Sequence, residues 1–120
     1  MRSTVIIGAS PNPENYSYKA TVNLKAQGHK VYPIGIKPGD IEGEKIINDR
    51  PIPNDVDTVT MYLSAKNQKD WYDYILSLKP KRIIFNPGTE NPEFEEMTKK
   101  QGIETLNACT LVMLSIGNYE

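Results

Sequence analysis

The chain has 120 residues, 38% hydrophobic and 24% charged, enough apolar material for one ordinary core and too much for a disordered segment. A formal net charge of −1 gives no general attraction to nucleic acid or an anionic membrane, and no apolar run approaches the roughly 20 residues that span a bilayer. One cysteine excludes an internal disulfide and a cysteine-rich metal site, and Met1-Arg2-Ser3 leads into a strand-like run rather than a signal segment, so a cytoplasmic protein is expected.

Val5-Ile6-Ile7 is a continuous β-branched run, the pattern of a strand buried on both faces. Residues 17–27 read as a helix, with Ala20 and Leu24 four apart on one side and Gly28 placed to end it. Lys30 to Ile34 is a second strand, broken by Gly35 and then by Pro38-Gly39. Residues 38–55 are rich in Pro, Gly and charge and read as an irregular excursion with a short strand at Ile46-Ile47. Asp57 to Leu63 is strand-like, and residues 67–78 follow as a helix with Trp71, Ile75 and Leu78 on one face.

Arg82 to Phe85 is a further buried strand, ending at Asn86-Pro87-Gly88. The next helix is the best punctuated of the chain. Asn91 is a natural N-cap, Pro92 suits the first helical position, Glu93, Glu95 and Glu96 complement the dipole, and Gly102 closes it. Ile103 to Leu106 gives a last short strand, and Cys109 to Leu114 reads equally as a final helix or an extended tail. Strands alternating with helices predict a single α/β domain over residues 1–120 with a mostly parallel sheet of about five strands.

In open parallel sheets, ligands sit beyond the carboxyl ends of the strands. The first strand ends there at Gly8-Ala9-Ser10, where small residues allow backbone N–H groups to approach an anion and the following helix adds its positive end. The dinucleotide fingerprint G-x-G-x-x-G is not met, since it needs glycines where Ser10 and Pro13 stand, and the Walker pattern is absent. A tight strand-to-helix turn without a ligand uses the same three residues. The second strand discriminates better. An NAD-binding domain places an acid about 20 residues on to hold the ribose. Here Ile34-Gly35-Ile36-Lys37 has no acid until Asp40. A cation in that place favours a ligand with a phosphate on its adenosine ribose, coenzyme A or NADP; an ordinary solvated loop lysine is the alternative.

No catalytic constellation emerges, and a non-enzyme is expected. His29 precedes the second strand, at the amino end of the sheet, and reads as a solvated turn residue. Glu90 reads as a loop residue feeding the capped helix. Cys109 reads as a small buried hydrophobe, or else as a thiolate at a helix N-terminus, able to form a mixed disulfide with a pantetheine thiol.

The order of V-I-I-G-A-S (5–10), S-Y-K-A (17–20), V-Y-P-I (31–34), I-x-G-E-K (41–45), I-P-x-x-V-D (52–57) and Cys109 resembles the small stand-alone CoA-binding proteins. These are similar to the N-terminal nucleotide-binding domain of the succinyl-CoA synthetase α subunit. The resemblance covers nearly the whole chain. It implies a Rossmann-like, doubly wound domain gripping the ADP part of coenzyme A or an acyl-CoA. By that resemblance Gly8, Ala9 and Ser10 line the pyrophosphate, helped by Tyr18 and Lys19. Ile36 and Lys37 lie beside the adenosine and its 3′-phosphate, Leu63 and Ser64 cover the adenine side, and Asn86 and Pro87 open toward the pantetheine. The synthetase's phosphorylated histidine belongs to a later domain that has no counterpart in these residues. Gly35-Ile36 stands where relatives often carry Asn-Pro, and Asn86 to Glu90 differs from the commonest form.

The leading expectation is a binding module acting as carrier, sensor or accessory protein, with a small-molecule nucleotide ligand and neither nucleic acid nor membrane as partner. Competing expectations are a component of a split acyl-CoA ligase, an NADP-dependent enzyme, and a protein interaction domain using Tyr16 and Tyr18. A protein partner or a homo-oligomer is compatible with each.

Overall fold

Three four-residue strands, Thr4–Ile7, Thr58–Met61 and Arg82–Phe85, make the centre of this molecule; they are rich in β-branched residues and every residue in them is buried. In the computed structural model, which describes residues 1–120, the chain begins with β1 (Thr4–Ile7), α1 (Tyr16–Ala26) and β2 (Val31–Ile34). A hairpin of β3 (Asp40–Ile41) and β4 (Glu44–Lys45) follows, then β5 (Thr58–Met61) and α2 (Ala65–Gln68). A 3-10 turn at Lys69–Trp71 leads to α3 (Tyr72–Ser77), and β6 (Arg82–Phe85), α4 (Pro92–Lys99), β7 (Glu104–Asn107) and α5 (Thr110–Ser115) complete the chain.

Five strands form one parallel sheet in the order β2-β1-β5-β6-β7. The chain goes from β1 to one side and then crosses to β5 on the other. Strand order therefore reverses beside β1, the place where open α/β sheets leave a crevice. Side chains alternate between the two faces. Val5, Ile7, Val59, Met61, Ile83 and Phe85 pack against Tyr72, Ile75 and Phe94 of α3 and α4. Ile6 and Ile84 face Leu24 of α1 and Met113 and Leu114 of α5. The result is the Rossmann-like, doubly wound α/β fold expected from the alternation of elements.

The α4 N-terminus is built as its punctuation predicts. The Asn91 side chain accepts the Phe94 N–H at 3.0 Å, with Pro92 in the first turn. Phe94 then stacks on Tyr72, ring centroids 4.2 Å apart. Three expectations are corrected. Residues 67–78 are not one helix, because Trp71 departs to φ −109°, ψ −8° beneath the Arg50 guanidinium, 3.7 Å from its ring centroid. The excursion at 38–55 contains the β3–β4 hairpin, closed by a two-residue turn in which both Glu42 and Gly43 have positive φ. Ile47 adds one parallel bridge to Ile34 instead of a strand. Residues 110–115 resolve as helix α5.

His29 is a further correction, since it is buried rather than solvated. Its Nδ1 accepts the Arg2 N–H at 2.9 Å, and the Tyr119 ring meets its edge at 5.0 Å. Tyr119 is itself held by its hydroxyl against Thr4, at 2.6 Å, and by its carbonyl, which accepts from the buried Arg82 guanidinium at 2.8 Å. Burial pushes the His29 imidazole below its ordinary value near 6.5; the Glu120 carboxylate opposes this and the nearby cations reinforce it. The folded protein thus resists a proton that the unfolded chain accepts. Stability falls as pH drops below about 6.5 and levels off above it. The Tyr32 hydroxyl on Asp55 and the terminal ammonium on Glu120 hold those carboxyls below their ordinary values, so their loss begins at more acidic pH. In denaturant melts between about pH 7 and pH 5, the downward slope of stability should flatten in His29→Gln. An unchanged slope would remove His29 as its source.

Candidate functional site

The turn after β1 and the chain leaving β2 meet at the switch in strand order. Gly8 takes φ +97°, and a Cβ there would come within 3.1 Å of the Tyr62 backbone. At Gly35 the approach is closer still, a Cβ falling 2.2 Å from the Ala9 carbonyl oxygen. Only glycine fits both places. The Gly8 and Ala9 N–H groups both donate to the Ile34 carbonyl, at 3.0 and 2.9 Å. Those two donors are therefore spent on holding the loop. Gly8 and Ala9 line the floor of the crevice with their N–H groups already bonded.

The open donors belong to α1. Asn15 is its N-cap residue, but its side chain makes no capping bond and instead donates to the Ser10 hydroxyl at 2.8 Å. Ser10 also accepts the Asn12 N–H. The first-turn N–H groups of α1 are left without a side-chain partner at the positive end of an 11-residue helix.

A trough runs from this point across the carboxyl edge of the sheet in three connected hollows. At the β2 end, about 250 Å³ lies between Ser10, Gly35, Ile36, Lys37, Leu63 and Trp71. The middle, about 280 Å³, is walled by Asn15, Ser17, Ser64, Pro87 and Thr89, and shares Gly8 and Asn15 with the first. The third, about 400 Å³, is apolar: Leu111, Val112 and Cys109 close it, and Tyr16, Tyr62 and Pro87 belong to both it and the middle. No Asp or Glu lines any of the three. Lys37 is their sole cation, is exposed, and takes part in none of the ion pairs of the structure. A trough free of carboxylates, with one unpaired ammonium and a helix N-terminus, suits an anionic ligand with an apolar end.

Nine of the residues singled out in the sequence lie along it: Gly8, Ala9, Ser10, Ile36, Lys37, Leu63, Ser64, Asn86 and Pro87. Tyr18 and Lys19 do not. They line a neighbouring depression with Pro13, Val22, Asn23 and Glu42, which shares Leu111 with the apolar hollow. Lys19 lies over the Tyr16 ring instead, 5.6 Å from its centroid. Asn86 lines the apolar hollow with its polar atoms bonded within the fold. Its amide donates to Thr60 and Met61 and its oxygen accepts the Thr110 N–H at 2.8 Å, clasping β5, β6 and α5 together. Glu90 turns back to accept the Gly88 N–H. Cys109 is partly exposed in the apolar wall, not fully buried.

Sequence reasoning missed Asn15, Trp71, Tyr62, Leu111 and Val112. Tyr62 has the least ordinary environment: its hydroxyl is buried with no hydrogen-bond partner, while Thr60 and Thr110 beside it bond each other at 2.9 Å. Burial pushes its pKa up to about 12, so the group stays neutral.

Over residues 2–115 the sequence matches the family described as CoA binding domain. The chain belongs to that family. A solved structure described as an uncharacterized protein is 53% identical, with a TM-score of 0.96 over 99% of this chain and 98% of that one. A conserved hypothetical protein from Pyrococcus furiosus is 28% identical, with a TM-score of 0.81 over 93% of this chain and 98% of its own. A hypothetical protein from Pyrococcus horikoshii, 22% identical with a TM-score of 0.86 over 96% of this chain and 82% of its own, shares the fold. No curated protein matches the sequence.

Two substitutions in the trough should behave oppositely. Tyr62→Phe removes an unpaired buried hydroxyl and keeps the ring, so chemical denaturation should show stability unchanged or raised by about 1 kcal/mol. Asn86→Leu orphans the Thr110 N–H and the Met61 carbonyl and should cost about 2–6 kcal/mol, at about 1–3 per orphaned group. A loss on that scale in Tyr62→Phe would show that its hydroxyl is bonded after all.

Proposed function

We propose that this CoA binding domain holds coenzyme A by its ADP part, as a non-catalytic carrier, sensor or accessory module. The carboxylate-free trough with Lys37 as its only cation carries the reading. The adenosine and its 3′-phosphate sit in the hollow of Ile36, Lys37, Leu63 and Trp71. Ile36 is 84% exposed there, an apolar side chain that an adenine face would cover. The pyrophosphate lies over the first turn of α1, beside Ser10 and Asn15. The pantetheine arm then follows the polar middle, past Ser17, Ser64 and Pro87.

The non-catalytic part rests on what surrounds the trough. Its walls hold no His, Asp or Glu to serve as general acid or base. His29 is buried at the opposite end of the sheet, and Glu90 is bonded to its own loop.

Calorimetric titration with coenzyme A and 3′-dephospho-coenzyme A, on the native protein and Lys37→Ala, tests the arrangement. Coenzyme A should bind more tightly than its dephospho form by about 1.5–3 kcal/mol, the range of a hydrogen bond to a charged group. Lys37→Ala should abolish the difference. Binding with no preference for the 3′-phosphate would reassign Lys37; no binding of either would overturn the ligand.

A further inference from the structure

The trough is graded in polarity, and its largest hollow has no role in gripping a nucleotide. At the α5 end, Tyr16, Tyr62, Pro87, Leu111 and Val112 surround about 400 Å³, inside the roughly 300–1,000 Å³ typical of small-molecule cavities. No charged side chain lines it. Two of its walls are apolar side chains left in water: Tyr16 is 69% exposed and Val112 53%.

We propose that this hollow receives the acyl chain of a coenzyme A thioester, so that the ligand is an apolar acyl-CoA in preference to free coenzyme A. The proposal rests on the coenzyme A reading above. Continuity selects the occupant. The hollow shares Tyr16, Tyr62 and Pro87 with the middle of the trough, which shares Gly8 and Asn15 with the phosphate end. A ligand laid along it meets an ammonium, then a helix N-terminus and hydroxyls, then a purely apolar chamber. Phosphorylated nucleoside, pyrophosphate and amide arm, and finally acyl group occur in that order along an acyl-CoA.

The lining also sets the class of acyl group. A dicarboxylic acyl group such as succinyl would bring an anion into a chamber with no cation in its lining, since Lys19 lies over the Tyr16 ring and outside that lining, and an unpaired charge is costly to bury. A saturated chain loses only its own contact with water and covers the exposed faces of Tyr16 and Val112. Tyr62 offers its ring to the chamber while its hydroxyl is buried beneath.

The test is calorimetry with coenzyme A, succinyl-CoA and octanoyl-CoA on the native protein, Val112→Glu and Val112→Trp. Val112 is more than half exposed, so neither variant disturbs the core. Octanoyl-CoA should bind about tenfold or more tightly than coenzyme A, with a more negative heat-capacity change. Succinyl-CoA should bind no better than coenzyme A. In both variants the ratio of octanoyl-CoA to coenzyme A affinity should fall toward one. Equal affinities on the native protein, or a ratio that neither variant alters, would overturn the acyl site while leaving coenzyme A binding intact. Failure of coenzyme A and octanoyl-CoA alike to bind would overturn both readings. Sedimentation of the same samples distinguishes a second copy as occupant. A dimer broken by Val112→Glu but not by octanoyl-CoA would assign this face to self-association and sink the proposal.

Discussion

The Ile34 carbonyl accepts the N–H groups of both Gly8 and Ala9, and this one oxygen ties the end of β2 to the loop leaving β1. The tie requires the two chains to touch, and Gly35 makes that possible by having no Cβ to meet the Ala9 carbonyl. Asn48 reinforces it from the excursion side, donating to the Gly35 carbonyl at 2.9 Å. With the loop pinned, Ser10 sits where it can receive Asn15, and α1 starts with its first turn open instead of capped. An anion site here thus depends on what the glycines exclude more than on donors they supply.

That arrangement changes which part of the chain contributes binding energy. A loop that spends its own N–H groups on a neighbouring strand is rigid before any ligand arrives, and a preorganised site loses little entropy on binding. The specific contacts then come from the first turn of α1 and from Lys37. The rest of the trough contributes by exclusion: without carboxylates it does not repel phosphate, and without charge at its far end it does not hold water strongly against an apolar chain.

The fold was legible because its signals are local. Unbroken β-branched runs, Asn91-Pro92 and Gly28 and Gly102 each act within a few residues, and the sheet order follows once strands and helices alternate. The β3–β4 hairpin was also written locally, as Glu42-Gly43, but charge and proline around it hid the strands. The site was legible only in part. Glycines and Lys37 announce themselves through what they lack or carry. Whether Gly8 and Ala9 keep their N–H groups free depends on the Ile34 carbonyl, a contact 25 or more residues away in sequence that no pattern reports. Tyr18 and Lys19 were placed by family resemblance alone, and the phase of α1 turns them toward a neighbouring depression. Trp71 read as core because it shares a helical face with Ile75 and Leu78, and the break at Lys69–Trp71 turned it toward the trough.

The opposite end of the sheet carries a different burden. Arg82 is buried there among Thr58, the Tyr119 carbonyl and the Tyr119 ring, with His29 neutral against the same aromatic. None of these groups lines the trough. The strands β1, β5 and β6 are the shared element: at one end they anchor a closed polar cluster, and at the other they open into the ligand's path. Proton uptake at His29 and phosphate binding near Lys37 are thus separated by the length of the sheet. Effects at the two ends should combine additively, because side chains with no shared partner rarely couple. Asn86 is the exception, since it ties β5 and β6 to α5 and stands directly behind the apolar chamber. Through that clasp the stability of the sheet and the shape of the chamber are linked, which makes α5 the element whose position a ligand and the fold determine together.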